Sequence, residues 1–253
     1  MMEFRRINNK KHILWSSDMI ISLITNKYPH LLKIYNEYPH FIMRVDLAKY
    51  IILDYYGGFY VDMDTKCLKN FNGLIKFNTN NKVMVCHVTD DKRTKLYAKK
   101  FINNHFFFVP IKNHPFMTLM LKEIPKKAER RKVESMILYI LRAVGPGFLM
   151  HCIKKYKKLQ QKQCKINKKQ SKSWKLINIG VCGSNATTKL HTNDVMTVIR
   201  SDLLNQYFIH QSKNTWLEKE WLDKKDKKDA LKIAASSIII MGAAACIIVL
   251  IAL

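Results

Sequence analysis

Residues 44–65, RVDLAKYIILDYYGGFYVDMDT, constrain this chain more than any other stretch. From Arg44 to Tyr55 there is neither Gly nor Pro, and Val45, Ala48, Ile52 and Tyr55 recur at three-to-four spacing, which predicts a helix with one apolar face. Gly57–Gly58 ends it, and a short aromatic–Val strand follows. Asp62 and Asp64 then flank a single residue. Side chains alternate along a strand, so a strand through both would point the two carboxylates the same way. Such a pair can share one hard cation, and the cation lets an acidic site hold an anionic diphosphate. Without it, a carboxylate–phosphate contact at about 4 Å costs on the order of 4 kcal/mol at a surface-like dielectric. Asp46 and Lys49 are three residues apart on the preceding helix; from spacing alone they read as a surface ion pair worth a few tenths of a kcal/mol.

Taken together, the pattern R-x-D-x-x-K-Y-x-x-L-x-x-x-G-G-x-Y-x-D-x-D resembles the DXD-containing sugar-binding region of a glycosyltransferase family. That family includes the fungal initiating α-1,6-mannosyltransferases and the inositol-phosphoceramide mannosyltransferases. Arg44, Asp46, Tyr50, Leu53, Gly57, Gly58, Tyr60, Asp62 and Asp64 match the family form position for position. Gly145–Pro146 with Phe148 resembles its Gly-Pro element opening a helix, and Phe208, His210 and Trp216 resemble its closing F-x-H and Trp. Lys49 stands where the family has Arg, replacing a planar fork by a point charge. The family also opens on an I-P-K-x-I-H-x-x-W strand lining the nucleotide site. The chain is expected to start too late for that strand, with His12–Trp15 belonging to a later segment.

The resemblance implies a GT-A fold and retaining, metal-dependent transfer of a hexose, mannose among the candidates, from a nucleotide sugar to a glycan or lipid acceptor. It implies Mn²⁺ or Mg²⁺ as cofactor. By the same resemblance Asp64 is the direct metal ligand, and Asp62 contacts ribose or sugar hydroxyls while helping the metal through water. Asp46 and Lys49 take the positions that hold donor-sugar hydroxyls. Arg44 is either on the diphosphate or a brace for its helix. His210 is either a third metal ligand or a polar core histidine, and Trp216 either donates to the leaving diphosphate or is an aromatic anchor beside a membrane. No residue announces itself as a nucleophile or base. The alternative is a truncated, inactive relic that binds nucleotide or membrane.

The remaining sequence reads as one enzyme domain with appended basic segments. At 253 residues and 48% apolar the chain can build one core. Six cysteines without CxxC or zinc spacing do not form a disulfide framework. Strand candidates at 83–88, 105–109, 176–181 and 195–199 alternate with helical patterns at 16–28, 30–37, 115–124, 133–143 and 147–158. That alternation predicts an α/β domain over 1–222, with a mostly parallel sheet and helices on both faces.

Much of the net charge of +25 sits in 154–175, expected as an exposed, partly disordered insertion, with anionic lipid as a second reading. The tract has no nucleic-acid reader motif, so specific nucleic-acid binding is not expected. Residues 223–232 form a basic linker, and 233–253, uncharged and about 30 Å long as a helix, are expected to be a C-terminal membrane anchor. Its lysine flank predicts a cytosolic catalytic domain, whereas the family implies a lumenal one; the Asn185-Ala186-Thr187 sequon distinguishes the two.

Overall fold

The computed structural model describes residues 11–76, 82–87, 102–168, 196–200, 204, 206–210 and 247–251. In chain order these form β1 (Lys11–Trp15), α1 (Ser17–Lys27), a 3-10 turn (Pro29–Leu31), α2 (Leu32–Glu37), α3 (Phe41–Tyr56), β2 (Gly58–Val61) and β3 (Thr65–Cys67). There follow α4 (Asn72–Lys76), β4 (Val83–His87), β5 (Ile102–Val109), α5 (Pro115–Glu123), α6 (Met136–Ala143), α7 (Pro146–Lys168), β6 (Met196–Arg200), β7 (Phe208–His210) and β8 (Ile247–Ile251).

The mixed α/β character is as expected, but the sheet is not mostly parallel. Its order is β1-β8-β2-β5-β4-β6, and β4–β6 is the one parallel pair among these neighbours. The physical reason lies in two strands that run backwards. Chaining the pairings, β1, β2, β4 and β6 all point one way, and β8 and β5 are inserted antiparallel between them. Periodicity along one strand says nothing about its neighbour's direction.

Strands β2, β4 and β5 feed two cores by alternation. Tyr60, Val85, Phe107 and Val109 face the helices α1, α2, α3, α5, α6 and α7. Phe59, Val61, Met84, Phe106 and Phe108 face the other way, onto Phe71, Leu74 and Phe208 of the α4 and β3–β7 side. Phe59 stacks on Phe108 with ring centroids 4.2 Å apart. The long helices thus cover one face of the sheet and a small ribbon with one short helix covers the other.

α3 is the central helix, and it is not amphipathic. Residues from Ile42 to Asp54 are buried on every side apart from Arg44. Its end is dictated by Gly57, whose φ of +69° suits a residue without Cβ. A Cβ there would also come within 3.0 Å of the Val109 carbonyl of β5. The break that launches β2 therefore needs glycine for two independent reasons.

β8 corrects the membrane-anchor expectation. Residues 247–251 form a strand whose Val249 pairs with Ile13 of β1 on one side and Tyr60 of β2 on the other. A run of Ile, Val and Leu serves equally well as a strand inside a sheet, and hydropathy alone does not separate the two. Residues 233–246 lie outside the described residues, as do the sequon at Asn185, the 176–181 strand candidate, and Trp216. One stretch, 136–162, is long and apolar enough to cross a membrane by composition, but it comprises two helices and most of it is buried within the protein.

Lys11–Trp15 is a strand that ends directly before α1, with Ser16 as the helix cap, and its His12 and Trp15 stand at H-x-x-W spacing. The first part of the basic tract is ordered, since α7 continues as regular helix to Lys168, and 169–175 lie outside the described residues. Lys and Gln are good helix formers, and the tract's first part extends an already nucleated helix.

Candidate active site

The site is built where α3 crosses the end of β2. Asp46 and Lys49, one turn apart on α3, form an ion pair with side-chain exposures of only 7% and 2%, so the surface-pair reading does not hold. The reason is that α3 is enclosed by the sheet and by neighbouring helices, which spacing alone does not reveal. The Lys49 ammonium lies over two aromatic rings, 5.0 Å from the centre of Tyr60 and 5.6 Å from Tyr50. These electron-rich faces partly replace its lost hydration.

Asp46 is held from a second direction. Asn104 on β5 donates its side-chain amide to Asp46 Oδ1 at 3.1 Å and to the Tyr50 hydroxyl at 3.3 Å. Tyr50 in turn donates to the Val144 carbonyl at 2.7 Å, just ahead of Gly145–Pro146. That element opens α7 as the sequence implied, and Phe148 packs fully buried beside the Tyr50 ring. Burial pushes the Asp46 carboxyl above its ordinary value, Lys49 opposes that rise, and the nearby Asp62 charge adds to it.

The DxD itself is a turn, which corrects the strand geometry assumed for it. Strand β2 ends at Val61, and the Asp62 carbonyl accepts from the Thr65 N–H at 3.0 Å, closing a turn with Met63 and Asp64 at its centre. The same-face rule instead joins Tyr60 to Asp62, whose Oδ1 accepts from the Tyr60 hydroxyl at 2.7 Å. Asp62 is 4% exposed, whereas Asp64 is only partly buried on the turn. The two carboxylates thus occupy different environments, one fixed under the strand end and one nearer solvent.

Of the other expected residues, Arg44 lies over the Phe41 ring at 5.8 Å and forms no ion pair among the described residues. His210 is brought close by backbone register: β7 pairs with β3 so that His210 stands opposite Thr65, the neighbour of Asp64. Sequence reasoning missed Asn104 altogether, and it missed the hydrogen-bonding roles of Tyr50 and Tyr60. Asn103–Asn104 ahead of the apolar run Phe106–Val109 was the available signal, because two amides buried on a strand need partners.

Whether a divalent cation fits can be judged from the donors. Asp62 and Asp64 offer hard carboxylate oxygens on a single turn. Among the described residues no group of three His, Cys, Asp or Glu side chains could cage an ion. Mg²⁺ and Mn²⁺ do not require such a cage, since one or two carboxylates completed by substrate phosphates suffice. The residues present fit that arrangement.

Comparison with known proteins agrees with the motif. Residues 2–81 match the glycosyltransferase sugar-binding region containing the DXD motif. The chain is 28% identical over 148 residues to an inositol phosphoceramide mannosyltransferase of Schizosaccharomyces pombe, covering 58% of this chain and 38% of the relative. It is 28% identical over 149 residues to a mannosyl phosphorylinositol ceramide synthase of Saccharomyces cerevisiae, covering 58% of this chain and 35% of the relative. An uncharacterized glycosyltransferase of Acanthamoeba polyphaga mimivirus is 38% identical over 66 residues, 26% of each chain. The chain therefore spans well under half the length of these curated relatives. The resemblance drawn from Arg44 to Asp64 holds: residues 2–81 carry the glycosyltransferase sugar-binding region containing the DXD motif.

Proposed function

We propose that this chain is a glycosyltransferase that moves a hexose, mannose by analogy with the relatives' names, from a nucleoside-diphosphate sugar to a hydroxyl of a glycan or glycolipid. The observation that carries the reading is the convergence of Asp46, Lys49 and Asp62 in one buried charged cluster beside the Asp64 turn. Buried charges held this tightly cost folding free energy, and a binding site for a polyhydroxylated, anionic ligand accounts for them.

Each residue has a defined task in this reading. Asp46 and Asp62 keep carboxylate oxygens with lone pairs left over to accept from sugar or ribose hydroxyls, while Lys49 donates. Asn104 and Tyr60 orient the two carboxylates before the donor arrives, so little ordering entropy is lost on binding. Asp64, on the turn, supplies an oxygen toward the diphosphate edge, with Asp62 and His210 the further candidates as metal ligands. A divalent cation bound there would supply Lewis-acid stabilisation of the departing nucleoside diphosphate.

The test is turnover of GDP-mannose, UDP-glucose and UDP-GlcNAc with and without Mn²⁺, in wild type and Asp64→Asn. The turn hydrogen bond is between backbone groups and does not use the Asp64 carboxylate, and a melting curve of the variant checks that the fold is kept. We expect metal-dependent turnover of one donor, reduced by about 100-fold in the variant. Equal turnover by wild type and Asp64→Asn would sink the proposal.

A further inference from the structure

The loop between α5 and α6, residues 124–135, stands apart from the Asp46–Lys49–Asp62 cluster and is held with unusual firmness. Arg142 of α6 reaches back to grip it, donating to both carboxylate oxygens of Glu134 at 2.5 and 2.7 Å and to the carbonyls of Lys127 and Glu129 at 3.0 and 2.6 Å. Arg130 Nε donates to the Glu134 carbonyl at 2.9 Å, and the Tyr139 hydroxyl to that of Ala128. At the loop's start, buried Glu123 accepts from Lys126 at 2.5 Å and from Lys155 of α7 at 2.9 Å.

This wiring sorts the charges. The carboxylates of Glu123 and Glu134 are turned inward, 4% and 8% exposed, and are consumed by internal partners. Arg130, Arg131 and Lys132 are left exposed, with Glu129 the one exposed acid of the loop. Val133, next in line, is 82% exposed, whereas the next most exposed large apolar side chain among the described residues reaches 45%. An apolar residue so far out on an ordered loop, directly after three cations, gains nothing from water.

We propose that this loop is a membrane-contact surface that binds anionic lipid headgroups, with Val133 entering the interface between headgroups and acyl chains. Cations at the headgroup level and an apolar tip below them are the pairing that a bilayer surface rewards. A nucleic-acid backbone would engage the cations but offers Val133 no partner, and the loop has no aromatic side chain on which a base could stack. The contact also has a consequence for the site. Helix α6 leads from the loop to Val144, whose carbonyl receives the Tyr50 hydroxyl, and its eight residues cover about 12 Å. A bilayer at Val133 would lie roughly one short helix from the Val144 carbonyl that holds Tyr50, within reach of a lipid acceptor. Binding itself does not depend on the transferase reading.

The experiment is flotation of the full chain with phosphatidylcholine vesicles, either alone or with about one lipid in three replaced by phosphatidylserine. The variants are Arg131→Glu combined with Lys132→Glu, whose side chains take no part in the bonds above, and Val133→Trp as a reporter. We expect binding to the anionic vesicles only, weakened by high salt and reduced about tenfold or more in the charge-reversed variant. The fluorescence that Val133→Trp adds over wild type should be quenched by brominated acyl chains. Unchanged binding by the charge-reversed variant would overturn the proposal, as would an unquenched reporter on bound protein. Double-stranded RNA bound as tightly as the vesicles, with the same loss in the variant, would overturn it in favour of a nucleic-acid surface. Donor turnover is measured on the same preparations, so failure of vesicle binding and failure of the transferase reading are separately visible.

Discussion

Asn104 donates its side-chain amide to Asp46 at 3.1 Å across 58 positions of chain, tying β5 to the central helix at the one place where that helix carries a buried acid beside the sheet's acidic turn. The bond makes Asn104 a positioning residue for Asp46. Asn104→Ala should cost about 1–3 kcal/mol of stability, because Asp46 and Tyr50 both lose a buried partner. Donor affinity should weaken while the dependence on divalent metal stays as in wild type. Urea denaturation together with donor titration checks this, and unchanged affinity would reduce Asn104 to a structural role.

Lys49 gives a second prediction. Removing its charge in Lys49→Met leaves buried Asp46 without its ion-pair partner and still near the Asp62 charge. About 3–5 kcal/mol of destabilisation is expected, measurable by chemical denaturation. Lys49→Arg, which would restore the family's residue, adds volume between the Tyr50 and Tyr60 rings at a position 1% exposed. A smaller loss of about 1–3 kcal/mol is expected there.

Tyr60→Phe isolates the hold on Asp62. The ring that packs beside Lys49 remains and only the hydroxyl is lost. Donor KM should rise about tenfold, roughly 1.4 kcal/mol, with the melting temperature changed by no more than a few degrees. A variant with wild-type KM would show that Asp62 needs no orientation.

Acid sensitivity should trace to Glu123. Burial by itself would raise its pKa, but hydrogen bonds from Lys126, Lys155 and His151 outweigh that and hold it down to about 2, against an ordinary 4.5. The folded value is depressed, so the contribution to stability is complete above about pH 4.5 and is lost as pH falls toward 2. Glu123→Gln should flatten the stability profile across that window. An unaltered acid limb would assign the sensitivity to another group.

The strand assignment of 247–251 is testable without any activity. Val249 lies between Ile13 and Tyr60, so Val249→Pro deletes a backbone donor in the middle of the sheet. Loss of cooperative unfolding, or aggregation through the exposed edges of β1 and β2, is expected. Wild-type melting of this variant would contradict the strand.

Residues 44–64 carried in themselves the helix, the glycine stop, the strand and the acidic pair, because propensity, periodicity and turn chemistry act over a few residues. Gly57 shows how far this reaches: its stop is legible in the chain, whereas its second reason, the approach of the Val109 carbonyl, needed the neighbouring strand. The direction of β5 and β8, and with them the mixed character of the sheet, was settled by pairings between residues far apart in sequence. The same holds for the pocket. Asp46 and Lys49 look like an ordinary exposed pair one helical turn apart until the sheet and Asn104 close over them, and burial alone changes a contact worth tenths of a kcal/mol into one on which the site depends. Local chemistry is written in spacing, while burial is a property of what the rest of the chain places around it.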